Sequence, residues 1–267
     1  EKFVDDMKPF LKTGYLYMYY IFWGLRDAWS NKKDFNWQKL FNFINVYLEQ
    51  EEFWKNELPI VGERGWNPDH KTVVGGISEL IKEGAKDDER VFPDALFDNA
   101  RQILLLIFDR LSPTSEEEIM RDHVTHALNS TWGEAISAFI SLIFRIVRVD
   151  EKKGEKKEVK WDDTQKEKYN SLLDKGIIEA YTWLGFYLPQ FHYIDKKWAK
   201  QRIEDLFSKK EENVWVAFMN GYLYGGRVYD DIYKLMRPHY EYGIYYDFKE
   251  SHDRERLIQH ISLGYLR

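Results

Sequence analysis

The sequence predicts an all-α protein, built of antiparallel helical hairpins stacked as an irregular, HEAT-like α-solenoid. Three observations predict it. Apolar residues recur at three- and four-residue spacing along most of the chain, the period of one helix face. No convincing run of alternating apolar and polar residues competes with that pattern. Proline and glycine fall where the periodic stretches begin and end. No strict repeat length emerges, so the array is read as irregular.

In order along the chain, Trp37, Leu40, Phe41, Ile44, Tyr47 and Leu48 form the first clear helical stripe. The stretch from Glu57 to His70, with two Pro and two Gly, reads as the longest irregular connection of the first half. Ile77, Leu80 and Ile81 continue the pattern, and Gly84 has the place of a C-terminal cap. Pro93 opens a helix carrying Leu96, Ala100, Ile103, Leu104, Ile107, Phe108 and Leu111, and Pro113 closes it. Ser115 to Glu118 has the form of a capping box, and Thr131 to Glu134 is a second one. Between them, Leu128-Asn129-Ser130 has turn composition. Trp132, Ala135, Ile136, Phe139, Ile140, Ile143, Ile146 and Val147 then give a broad buried face.

The stretch DEKKGEKKEVK, Asp150 to Lys160, has almost no apolar content and reads as a solvated loop and domain boundary. It separates an N-terminal helical subdomain, 1–149, from an aromatic-rich one, 161–267. The periodicity places about five to seven helices before it and five or six after it. Ile177, Ala180, Tyr181, Leu184 and Leu188 carry the next stripe, with Pro189 behind it.

Composition excludes several functions. A net charge of −6 argues against affinity for nucleic acid through phosphate neutralisation. The absence of cysteine removes disulfides, thiolate zinc sites and cysteine nucleophiles, and fits a reducing cytoplasm. No apolar run reaches the roughly 18–20 residues of a membrane-spanning helix; AISAFISLIF stops at Arg145. The chain begins Glu-Lys-Phe, without a signal-peptide pattern, and reads as a piece of a longer protein.

The candidate chemistry is thin. His123 and His126 share a helix face, but no third ligand is evident and HExxH is absent, so no metal is expected. GYLYGGRV, Gly221 to Val228, spaces two glycines like a phosphate loop, yet Arg227 and Val228 replace the required Lys and Ser/Thr. Asp87-Asp88, Asp162-Asp163 and Asp230-Asp231 invite comparison with diphosphate–magnesium sites, but no DDxxD pattern or second motif completes one. There is no Gly-x-Ser-x-Gly elbow. No cofactor and no catalytic residue is therefore expected. What remains is aromatic: 10 Trp, 18 Tyr and 17 Phe. Around HYEYGIYYDF no clean helical stripe forms, so Tyr242, Tyr245 and Tyr246, with Arg227 nearby, are the candidate protein-binding residues.

HALNSTWGEAISAFISL (His126–Leu142), LGFYLP (Leu184–Pro189), Asp195 and Trp198, Trp215 with GYL (Gly221–Leu223), and VYDDIYKLMRPHY (Val228–Tyr240) together resemble the helical C-terminal regions of large bacterial defence proteins. These are the antiviral STAND (NLR-like) ATPases and the sirtuin-domain anti-phage proteins. VVGGISELIKEGAKDDERVFPDALFDNARQILLLIF (Val73–Phe108) fits the same kind of region. The resemblance implies a non-enzymatic sensor module that binds a phage-encoded protein and signals to an effector outside this chain. It implies a scaffold role for Leu184, Gly185, Leu188, Pro189, Trp198, Trp215 and Pro238. Two other readings stand beside it: a helical region mediating self-assembly of the parent protein as a homo-oligomer, and a metal- or diphosphate-dependent helical enzyme.

Overall fold

A computed structural model of the 267-residue chain describes residues 7–59, 68–115, 119, 122–155, 157–209, 212–225, 228–248 and 251–266. Among the described residues all regular structure is helical and no strand occurs. The chain divides into two compact units, which interleave in sequence. Unit 1 comprises Glu1–Pro113 and Ser130–Glu155; unit 2 comprises Thr114–Asn129 and Lys156–Arg267. The division therefore differs from a single cut at 150–160: residues 114–129 lie with the second unit, and the charged stretch marks only the last crossing.

Unit 1 contains α1 (Tyr15–Ser30), α2 (Trp37–Leu48), the single turn α3 (Glu51–Trp54), α4 (His70–Ala85), α5 (Phe97–Arg110) and, after an excursion into unit 2, α7 (Thr131–Lys152). The named contacts give the directions. Trp29 at the end of α1 meets Trp37 at the start of α2, 5.0 Å between rings. Tyr47 at the far end of α2 donates to the Thr13 carbonyl (3.2 Å) just before α1, so the two helices form an antiparallel hairpin. Along α1 and α4 the partners advance together. Phe22 lies against Gly76, Arg26 faces Glu79 at 3.7 Å, and Ser30 donates to Glu83 at 3.3 Å. Those two helices are parallel. Between α4 and α7 the order is the same, from Thr131 on the Lys71 carbonyl to Arg148 on the Ala85 carbonyl. α5 runs against α7, with Phe108 stacked on Trp132 at one end and Arg145 bonded to Asp94 at the other. Like helices stacked parallel, with antiparallel neighbours beside them, is the packing rule of a hairpin solenoid.

The stripes read from the sequence are the buried ones. Leu40, Phe41, Ile44, Ala100, Ile103, Leu104, Ile107, Ala135, Ile136, Phe139, Ile140 and Ile143 are all fully enclosed. Ile146 is the exception, half-buried at the edge of its stripe. At roughly 1.5–3 kcal/mol for each large side chain, this burial is what makes helices of these lengths stable.

Local punctuation departs from the sequence expectation in four places. The cap of α7 is Ser130, whose hydroxyl accepts from Gly133 N, rather than Thr131, which is spent on Lys71. Gly84 does not end α4: the helix continues to Ala85, and Gly84 sits where the rings of Trp37 and Phe92 press on the backbone. Pro93 is followed by a 3-10 turn, Asp94–Leu96, before α5 begins. α7 runs to Lys152, so Asp150 to Lys152 are helical rather than loop. Arg145, Arg148 and Lys152 converge on Asp88, which ties this end of α7 to the loop after α4. Hydrogen bonds from Lys152 and Arg148 hold the Asp88 carboxyl well below the usual carboxylate range. The capping box expected at Ser115–Glu118 lies outside the described residues.

Unit 2 begins with α6 (His123–Asn129) and continues with α8 (Asp163–Asp174), α9 (Ile178–Phe186), α10 (Leu188–Ile194), α11 (Lys196–Lys209), α12 (Glu212–Tyr224), α13 (Asp230–Tyr245) and α14 (Ser251–Tyr265). Its centre is the pair α9 and α12. A Cβ on Gly185 would collide with the Phe218 carbonyl and one on Gly221 with the Thr182 carbonyl, so both positions require glycine for the two backbones to touch. The apparent phosphate-loop glycine is thus a helix-crossing residue. Asp162 caps α8 through Gln165 N, and Asp195 caps α11 through Trp198 N. Much of the aromatic load goes inward: Trp161, Tyr169, Phe191 and Trp198 form one box, with Trp161 and Trp198 4.7 Å apart. Leu184, Gly185, Leu188, Trp198 and Trp215 are buried. Pro189 is only half-buried, and Pro238 is exposed in the middle of α13, where it lacks the N–H that would bond to the carbonyl four residues back.

Candidate protein-binding surface

Two of the four expected binding residues, Tyr242 and Tyr246, lie against Trp215 of α12. Its indole N–H donates to His239 Nδ1 (3.0 Å), which fixes the ring of a residue on α13. Burial lowers the His239 pKa from 6.5 to about 4, so this imidazole is a neutral acceptor at physiological pH. Three aromatic rings from the end of α13 and just beyond lie on Trp215. Tyr242 meets it edge-on at 4.7 Å, Tyr246 at 5.1 Å and Phe248 at 6.0 Å. Phe207 of α11 closes the cluster, 4.8 Å from His239 and 5.8 Å from Tyr242. Edge-to-face rings at these spacings hold one another beyond simple burial.

The four expected residues have different fates. Tyr242 is 46% exposed with its ring edge-on in the cluster, and Tyr245, three residues on, is 89% exposed. Tyr246 is not a free anchor. Its hydroxyl donates to Glu212 Oε1 (2.7 Å) and its ring packs between Trp215 and Phe248; burial and the Glu212 carboxylate raise its pKa. Arg227 lies outside the described residues. Arg237, the neighbouring cation, is paired with Glu241 at 2.9 Å along the helix.

Sequence reasoning missed Phe207, 41% exposed. The signal was available: Trp198, Ile203 and Leu206 define the buried stripe of α11, and Phe207 stands one position off it. It also missed Ile244 and Ile258, both exposed, each one residue beyond the Gly243–Leu257 contact that joins α13 to α14. The surface is therefore the aromatic edge of Phe207 and Tyr242, with exposed Tyr245 three residues further along the same helix as Tyr242. It rests on a hydrogen-bonded core.

The remaining candidates are built into the scaffold. His123 Nδ1 pairs with Asn220 Oδ1 (2.8 Å), and Asn220 Nδ2 donates to Asp253 (2.8 Å). His126 Nε2 and the Thr114 hydroxyl both reach Glu179 Oε1, at 3.1 and 3.0 Å. Burial alone would raise the Glu179 carboxyl, but its hydrogen bonds, led by that from His126, lower it. The two histidines thus fasten α6 to α9 and α12. Asp87 and Asp162 accept from backbone N–H groups, Asp88 takes three basic partners, and Asp231 sits 3.5 Å from His192. Among the described residues no group of three His, Asp or Glu side chains is arranged to hold a metal ion. No described helix is long and apolar enough to cross a membrane.

Fold and surface together define an all-α protein of packed helical hairpins with an aromatic face braced from within. No protein-family profile, curated protein or solved structure matches the chain.

Proposed function

We propose that this chain is the non-catalytic recognition part of a bacterial antiviral defence protein. It binds a phage-encoded protein in the cytoplasm and relays occupancy to an effector elsewhere in the parent polypeptide. The observation that supports this reading is the Trp215 cluster. Phe207 and Tyr242 present aromatic edges, and Tyr245 projects beside them, on rings already locked by packing and by the His239 hydrogen bond. Anchors fixed before binding lose little side-chain freedom when a partner arrives. Tyrosine at such positions is a common source of hot-spot energy in protein interfaces.

The test has two stages. Capture from phage-infected lysate with the isolated chain names a candidate, and titration calorimetry with that purified phage protein then measures affinity. Tyr242→Ala and Tyr245→Ala are expected to weaken binding by about 30-fold or more each, the scale of a hot-spot residue, with the thermal midpoint nearly unchanged for Tyr245→Ala. Failure of every purified candidate to bind, or binding that ignores both substitutions, overturns the proposal.

A further inference from the structure

The outer face of α1 carries a second, unrelated surface. Tyr17 and Trp23 are 51% and 47% exposed, and Tyr20 between them is 54% exposed while leaning on Tyr19. Beside them lies Gly24, inside the helix and exposed, with nothing within 4 Å of the place a Cβ would take. A glycine in mid-helix costs roughly 0.5–1 kcal/mol against alanine. At five other helical glycines that cost has a visible reason. Gly75 and Gly76 lie under side chains of α7 and α1, Gly185 and Gly221 let α9 touch α12, and Gly243 receives Leu257. Gly24 follows the same pattern of use with its neighbour absent. Its face points away from α4, the helix on which α1 is stacked.

We infer that α1 is a dimerisation helix and that its occupant is α1 of a second copy of this chain, running antiparallel. A two-fold axis at Tyr20 pairs residue i with residue 40 − i. Tyr17 then meets Trp23 of the other copy, and Leu16 enters the space over Gly24. A large residue thus fills a small one twice, by symmetry. The charges match in the same register. Asp27 is exposed at one end of the face, and Lys12, in the 3-10 turn before α1, is exposed at the other. The axis brings each Asp27 level with the Lys12 end of its partner.

The area sets the strength. Three half-exposed aromatic side chains offer on the order of 350 Å² per copy, under half of the roughly 800 Å² per partner of a standard stable interface. The dimer is therefore expected to be weak and concentration-dependent for the isolated chain. Held side by side in a larger assembly, the same face gains from effective concentration.

Sedimentation velocity on the whole chain between about 5 and 500 µM reads this directly. The expected result is a concentration-dependent shift from 32.2 kDa towards twice that mass. Trp23→Glu abolishes the shift at an unchanged thermal midpoint. Gly24→Ala separates the interface from the fold, since it raises the thermal midpoint through helix propensity while weakening the dimer at least 5-fold. Asp27→Lys weakens association, and the added Lys12→Glu in the same chain restores it. A monomer at every concentration overturns the inference, as does a dimer indifferent to Trp23→Glu or a double swap that fails to restore. A dimer lost instead on Tyr245→Ala places self-association on α13 and also overturns it, while leaving the phage-protein titration to decide the recognition reading separately.

Discussion

Glu134 is a carboxylate in an unfavourable place. It sits in the first turn of α7 with its carboxyl over Gly75 of α4, so that even a Cβ there would strike it. Burial raises its pKa from 4.5 to about 7; the Glu79 charge adds to that, and Lys82 and Arg26 oppose it. In the unfolded chain the carboxyl ionises near 4.5, and in the folded chain near 7. Between those values the folded state holds a proton that the unfolded state has lost. This residue's contribution is thus full below 4.5 and is lost as pH rises to 7. At about 1.4 kcal/mol per pH unit the loss comes to about 3 kcal/mol, or about 2 after allowing for the partial solvent access of the side chain. Glu134→Gln keeps the shape and never ionises. Urea unfolding at pH 5 and pH 8 is the assay. The variant is expected to match the wild type within about 0.7 kcal/mol at pH 5 and to exceed it by about 2 kcal/mol at pH 8. A variant less stable at pH 8 would mean that Lys82 and Arg26 hold Glu134 as a paired anion, and the reasoning would be refuted. A gain independent of pH would refute it equally.

Two further outcomes follow from the same kind of argument. Gly221→Val forces α12 off the Thr182 carbonyl of α9 and is expected to cost more than about 3 kcal/mol, read as a lower urea midpoint; an unchanged midpoint would show that the two helices can slide apart freely. For His239, whose folded pKa near 4 lies below the unfolded 6.5, stability is present above 6.5 and lost as pH falls towards 4. His239→Gln should flatten that acid-side slope in thermal melts between pH 4 and 6.5, and a slope unaltered by the substitution would assign it to other groups.

The helices were legible because burial has a period. In α2, α5 and α7 nearly every residue on the apolar stripe is enclosed, and no alternative period competes. What periodicity cannot convey is which helix covers which. Gly84 resembles a cap in one dimension because glycine ends helices and also admits rings, and only the positions of Trp37 and Phe92 distinguish the two. Thr131 and Ser130 are equally good caps on paper; Lys71, sixty residues away, decides between them by accepting from Thr131. The same limit governs the site. Tyr242, Tyr245 and Tyr246 were visible as off-stripe aromatics, but the bond from Tyr246 to Glu212 spans 34 residues and Phe207 belongs to another helix. Long-range partners turn a row of similar residues into one brace, one edge and one projecting ring.

The interleaving of the two units bears on how the protein is made. Emerging from the ribosome, α6 precedes Glu179, the partner of His126, by 53 residues, and Asn220, the partner of His123, by 97. At about 5–20 residues per second those histidines wait several seconds or longer for the groups that bury them. Meanwhile α7, which follows α6 directly, already has α4 and α5 to fold upon. The first unit can thus close around its last helix while the strap that leaves it is still undocked, and translation pauses between codons 130 and 220 would lengthen that exposure.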